Sequence, residues 1–133
     1  MSSVDIKNIT KYYNSIKAIK NIELSCKQSF FTVIFGPSAA GKSTILKLVS
    51  GIVKPDSGSI FFDDKDITSL DAQYRNVSMA FESYALYPHL SVQGNLEFSM
   101  RAPGRTLPVT ERKRRFEAVA HLLEIEELLN RMP

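Results

Sequence analysis

Gly36-Pro37-Ser38-Ala39-Ala40-Gly41-Lys42-Ser43-Thr44 decides how the rest of the chain is read. The stretch satisfies G-x-x-x-x-G-K-[ST] at every fixed position. It stands between an apolar run, Phe31 to Phe35, and a segment of helical spacing that begins at Ser43. Strand, loop and helix in that order are the context a phosphate-cradling loop requires. Successive backbone N–H groups in such a turn, backed by the positive dipole end of the following helix, form a concave anion site. Gly36 and Gly41 let the backbone bend and approach oxygen atoms closely, with Ser38, Ala39 and Ala40 between them. Lys42 is expected to reach β- and γ-phosphates as a point charge, and the Ser43 hydroxyl to ligate Mg²⁺. Thr44 adds a donor near the α-phosphate.

Composition narrows the function classes. The chain has 133 residues, enough for one domain and one core. Its 44% hydrophobic and 23% charged content is that of a soluble globular protein, and a net charge of +3 is too small to argue for nucleic acid as a partner. No apolar run approaches the ~18 residues needed to cross a bilayer, and the polar start MSSVDIKN is unlike a secretory signal. A cytoplasmic location is therefore expected. Cys26 is the only cysteine, which excludes an internal disulfide, and with His89 and His121 it makes no zinc pattern. A half-buried structural thiol is the expectation.

Working outward from the loop, Val4 to Ile9 and Ile19 to Leu24 alternate as half-buried strands do, joined through Tyr12, Tyr13, Asn14 and Ser15. Phe30 to Phe35 is almost continuously apolar, the pattern of a strand covered on both faces in a parallel sheet. Ile45, Leu46, Leu48, Val49 and Ile52 predict a helix packed on that sheet, stopped by Gly51 and Pro55. Ser59 to Phe62 predicts a strand closed by the polar cluster Asp63 to Asp66, and Val77 to Phe81 a further short one. From Leu90 to Met100 the spacing turns helical, with Ser91 as a cap. Pro103, Gly104 and Pro108 form a break. Thr110 is the expected cap of a last helix, whose apolar side holds Phe116, Val119, Ala120, Leu122 and Leu123. Its basic run, Arg112 to Arg115, reads as a solvated face.

Over essentially the whole chain these residues resemble the ATP-binding subunits of ABC transporters, nearest in flavour to those of sugar importers. SYALYPHLSV, Ser83 to Val92, lies where the family carries its Q-loop and the start of its helical subdomain. KPDSGSIFFDDKDIT, Lys54 to Thr68, looks like its strand-turn-strand piece. The resemblance implies an α/β fold: a P-loop NTPase core with an N-terminal antiparallel β subdomain and the start of an α-helical subdomain. Residues 1–90 would be the ATP-binding core and 91–133 the start of the helical part. It implies ATP and Mg²⁺ as cofactors, and Tyr13, with Tyr12 as the other candidate, as the ring stacked on adenine. It implies a membrane permease contacted through Tyr84 to Val92, a second ATP-binding subunit as dimer partner, and a peripheral position at the inner face of the membrane.

The chain also departs from the family pattern. Glu82 stands at the Q-loop position, where the family has glutamine. An ionised carboxylate can still ligate Mg²⁺ but cannot donate toward an attacking water, which predicts altered, slower turnover. Ala39 and Ser29 occupy places where relatives carry glycine, so a positive φ at either would cost energy. No LSGGQ string, Walker B strand or switch histidine occurs; Ile60 to Asp64 imitates a Walker B strand but falls too soon after the loop helix. The chain is accordingly expected to be the N-terminal part of such a domain, with an open apolar edge at Phe31 to Phe35 and little hydrolysis of its own. The competing readings are a nucleotide-binding module without turnover and another P-loop enzyme such as a small-molecule kinase.

Overall fold

The computed structural model describes residues 2–101 and 107–133, which fall into two compact units, Met1–Met79 and Ala80–Pro133. The expected break at Pro103 and Gly104 lies outside the described residues.

The first unit is built on an antiparallel sheet. β1 (Val4–Tyr13) pairs with β2 (Ile16–Cys26) on one edge and with β3 (Ser57–Phe62) on the other, and β4 (Lys65–Asp66) extends β3, giving the order β2-β1-β3-β4. The antiparallel subdomain is thus present, with longer strands than the alternation suggests. Tyr12 and Tyr13 belong to β1, and the connection is only Asn14 and Ser15, at φ 46° and 70°. Two residues at positive φ are what a type I′ hairpin turn requires.

The imperfect alternation of β1 and β2 has a physical cause. Ile6 and Ile9 are three apart and would face opposite sides of an unbroken strand. The ladder slips between Ile6 and Ile9, where Asn8 sits at φ 52°, so both isoleucines are buried. Asn21, at φ 50°, marks the compensating slip in β2. Asparagine is among the few residues that tolerate that region. A third slip makes Ala18 the extra residue of β2, because Lys11 pairs with Ile19 and Tyr12 with Lys17.

The face so formed carries Ile6, Ile9, Ile19 and Ile60, joined by Ile67 and by Ile45 and Leu48 of α1 (Lys42–Ser50). α1 begins at Lys42, one residue before the expected start. It ends at Gly51, at φ 80°, where Gly51 N–H donates to Leu48 O at 3.2 Å and Ile52 N–H to Lys47 O at 3.0 Å. That is the left-handed stop expected from glycine. Of the predicted apolar set only Ile45 and Leu48 are fully buried; Val49 packs partly, and Leu46 and Ile52 are exposed.

Two strand expectations are corrected. Residues 30–35 and 77–81 form no strand, and Phe31 and Phe35 are 93% and 98% exposed. A buried parallel strand exists only through hydrogen bonds to neighbours on both sides. Among the described residues no strand lies beside either segment, so neither apolar run has a ladder to join.

In the second unit, α2 (Val92–Phe98) is capped as expected, Ser91 Oγ accepting from Gly94 N–H at 3.2 Å, and it runs on into a 3₁₀ turn, Ser99–Arg101. Val92 and Gln93 N–H donate to Arg131 O and Leu129 O at 2.9 and 3.0 Å, so the C-terminal segment satisfies first-turn donors of α2. α3 (Val109–Leu122) starts after Pro108, not Thr110, which lies inside the helix. Proline's fixed φ suits that entry and it has no N–H to leave unpaired. Only Phe116 and Ala120 are buried; Val119, Leu122 and Leu123 stay exposed, because a single i, i+4 row finds cover in this unit. Lys113, Arg114 and Arg115 are exposed, as expected, with Glu111 accepting from both Arg114 and Arg115, whereas Arg112 is half-buried.

Candidate phosphate-binding site

Gly41 is the N-cap of α1, in the left-handed region at φ 89°, and no side chain caps the helix. The first intrahelical bond is Ile45 N–H to Gly41 O at 3.0 Å. Helix geometry therefore leaves the N–H groups of Gly41, Lys42, Ser43 and Thr44 without intrahelical acceptors. A Cβ at Gly41 would overlap Ile19 Cγ2 and come within 2.9 Å of the Ala18 carbonyl oxygen, so the loop is pressed against the β2 bulge and only glycine fits. Gly36 is not at positive φ, and a side chain there would meet nothing closer than 3.6 Å. The bend falls instead on Ala39, at φ 61°, where a methyl group carries the cost. Ser29 takes φ 64° in the same way.

Lys42 folds back over the loop. Its ammonium donates to Gly36 O at 2.9 Å and to Pro37 O at 2.6 Å, holding the cation against the first residues of the loop. Ser38, Ala39 and Ala40 form the turn between, closed by Ala40 N–H to Pro37 O at 3.3 Å. Backbone donors, a hydroxyl at Ser43 and a lysine at the mouth form a donor set for phosphate oxygens. Among the described residues no group of three or more His, Cys, Asp or Glu side chains gathers. A magnesium ion here would be held by Ser43 and by phosphate oxygens, a mode its octahedral, water-retaining chemistry favours.

The β1–β2 hairpin ends close by. Gly41 abuts Ala18 and Ile19, and Tyr13 pairs with Ile16, three residues on, or about 10 Å along the strand. Tyr12 and Tyr13 are both exposed, 40% and 41%, and lie on opposite faces of β1. Lys11 Nζ sits over the Tyr13 ring, 5.8 Å from its centroid.

Arg75 escaped sequence reasoning. Only 4% exposed, it donates to Leu48 O and Val49 O at 2.8 and 3.0 Å, capping the C-terminal end of α1, and to Leu70 O and Thr68 O at 2.8 and 3.1 Å. Burial lowers the pKa of the guanidinium, while Asp71 nearby supports its charge. No signal in the sequence marks it, because it caps a helix whose last turn, at Leu48, lies 27 positions earlier in the chain.

The Ile60 to Asp64 stretch is a strand end turning into β4, with Asp63 accepting from Ser3 N–H at 2.8 Å, which holds its carboxyl below the usual range.

In the second unit, Glu82 lies exposed in a turn, where Tyr84 N–H donates to Phe81 O at 2.9 Å. Tyr84 and Ala85 follow at φ 55° and 49°, and Tyr84 is 81% exposed. The rest of the segment is anchored by Asn95, which sequence reasoning also passed over. Its Oδ1 accepts from Tyr87 N–H at 2.8 Å, and its Nδ2 donates to Tyr87 O, Leu90 O and Ser91 O at 3.0–3.1 Å. The Tyr87 ring leans on Phe98, centroids 4.3 Å apart, with His89 edge-on at 5.9 Å.

A glycine-ended loop feeding a helix, laid against an antiparallel sheet, defines a phosphate-loop nucleotide-binding fold. The chain belongs to the ABC transporter family, whose model matches residues 19–133. It is 40% identical over 134 residues to the sn-glycerol-3-phosphate import ATP-binding protein UgpC of Bartonella bacilliformis, covering 100% of this chain and 38% of that one. It is 38% identical over 122 residues to the Fe(3+) ions import ATP-binding protein FbpC of Photorhabdus laumondii, covering 92% and 34%. Among solved structures, a dimeric ATP-binding cassette in a post-hydrolysis state, bound to ADP and Pi, superposes with a TM-score of 0.82 at 30% identity, covering 98% of this chain and 61% of that one. The chain thus spans little more than a third of the curated relatives it matches. No helix among the described residues is long and apolar enough to cross a membrane.

Proposed function

We propose that this chain supplies the ATP-binding part of an importer's energy-coupling subunit. Residues 36–44 take the triphosphate: the amides of Gly41 to Thr44 face its oxygens, Lys42 leaves the Gly36 and Pro37 carbonyls for the β- and γ-phosphates, and Ser43 shares a magnesium ion with them. Bound magnesium neutralises charge on the β- and γ-oxygens. Tyr13 stacks on adenine. The single observation that carries the reading is the fit at Gly41, where a left-handed N-cap without space for a side chain leaves four helix-start amides for an anion.

The finer assignments follow the resemblance. Residues 1–90 form the ATP-binding core and 91–133 the start of the helical part. Glu82 adds a carboxylate oxygen to the metal and slows turnover, because it cannot donate to the attacking water. Tyr84 to Val92, pinned by Asn95 and exposing Tyr84, meets a cytoplasmic segment of a membrane permease, which holds the protein at the inner face of the membrane. A second ATP-binding subunit completes the functional pair. The cargo is a solute, with a sugar as the reading nearest the sequence; the two relatives named above are called importers of glycerol 3-phosphate and of ferric ions.

Calorimetric titration with MgATP, with phosphate release followed separately, tests the reading. Saturable binding abolished or weakened at least tenfold by Lys42→Ala supports it. Binding indifferent to that substitution contradicts it.

A further inference from the structure

The Asp56 carboxylate sits under the end of β1. It accepts from Tyr12 N–H at 2.6 Å and from Lys11 Nζ at 3.1 Å, while Asp56 N–H donates back to Thr10 O at 3.0 Å. These bonds tie the turn after α1 to the last residues of β1, where the ladder to β2 slips. The Lys11 side chain is drawn in, only 16% exposed, and its ammonium is carried over the Tyr13 ring. Lys11 and Tyr13 are two apart on one strand and share a face. A cation about 6 Å from an aromatic centroid is attracted to the ring face and resists the ring's rotation away from it.

We propose that Lys11, held by Asp56, is a positioning residue for base recognition: it occupies one face of Tyr13 and fixes the ring so that the other face is offered to a nucleobase. The inference rests on the reading of Tyr13 as the base-stacking residue. Lys11 touches no base itself. Its contribution is to spare the ring its rotational freedom before the ligand arrives, which raises affinity without a new contact. The Asp56 carboxyl is kept below its ordinary pKa, first by Tyr12 N–H and then by Lys11, so it stays ionised at neutral pH.

A ligand with the same phosphates and no base separates this role from a structural or a general electrostatic one. The dissociation constants of MgATP and of magnesium inorganic triphosphate are measured on the full chain and on Tyr13→Ala, Lys11→Met, Lys11→Arg and Asp56→Asn. Tyr13→Ala is expected to weaken ATP by about 5- to 100-fold and leave triphosphate unchanged. Lys11→Met is expected to weaken ATP alone, by about two- to fivefold, with Lys11→Arg restoring it. Asp56→Asn keeps an acceptor for Tyr12 N–H, loses the charge that holds Lys11, and reproduces the loss. If Tyr13→Ala weakens ATP while Lys11→Met does not, the positioning role is overturned and the Tyr13 reading stands. If Lys11→Met weakens both ligands alike, Lys11 acts on the phosphates or on the fold, and the proposal is wrong. If Tyr13→Ala changes neither, the base-stacking reading itself falls.

Discussion

Ile19 closes the space beside Gly41: a Cβ on that glycine would overlap Ile19 Cγ2, at a residue already held at φ 89°. Ala18, the extra residue of β2, lies at the same contact, its carbonyl oxygen 2.9 Å from where that Cβ would stand. Gly41→Ala therefore combines a left-handed methyl, costing about 1–2 kcal/mol, with a collision against backbone and core. Urea denaturation should show a loss of at least ~2 kcal/mol, and MgATP affinity should fall more than tenfold. Unchanged stability would mean that the loop does not sit against β2 as described.

Arg75 answers the opposite end of the same helix. Replacing it with methionine leaves the carbonyls of Leu48, Val49, Thr68 and Leu70 without the charged donor that serves them. Bonds to a charged donor contribute about 1.5–3 kcal/mol each at most, and the set is not additive. A total loss of roughly 3 kcal/mol is expected for Arg75→Met by denaturant titration, with Arg75→Lys intermediate. A loss under ~1 kcal/mol would show that water replaces the guanidinium.

Asn95 makes four bonds to the segment from Tyr87 to Ser91. Asn95→Ala should raise hydrogen exchange at the Tyr87 amide by about tenfold or more, a change of ~1.4 kcal/mol in local opening. Amides of β1 should be unaffected. An unchanged Tyr87 amide would show that its protection comes from the Phe98 contact instead.

Glu111 accepts from Arg114 and Arg115 at 2.6–3.0 Å, and these bonds lower its pKa to about 2. A carboxyl whose folded pKa lies below its unfolded one favours the folded helix above the unfolded pKa and loses that contribution as pH falls. The window here runs from about pH 4.5 down to about 2. The Glu111 side-chain carbon should titrate near 2 by NMR, and Glu111→Gln should flatten the acid dependence of α3 across that window. A midpoint near 4.5 would mean that the arginines are solvated and not bonded to it.

What is legible in the sequence is what local geometry decides. The loop from Gly36 to Thr44, the glycine stop at Gly51 and the Ser91 cap need only a few neighbouring residues to take their shape. Phe31 to Phe35 has the composition of a buried strand, yet a strand is a relation to partners and not a property of five residues. Arg75 and Asn95 are hidden for another reason: the groups they serve are backbone carbonyls and, for Asn95, a backbone N–H, which no residue identity marks, and Arg75 reaches one 27 positions away. Asn8 and Asn21 could have been suspected as bulges, since the isoleucines around them fall out of a two-residue period by one.

The most direct test of the central claim, that helix-start amides and Lys42 grip phosphate, is to follow the backbone amide resonances of the chain while MgATP is added. Saturable shifts are expected mainly in residues 38–44 and the Tyr13 region, with Gly41 among the largest, and their loss in Lys42→Ala. Saturating MgATP that leaves Gly41, Lys42, Ser43 and Thr44 unmoved would contradict it.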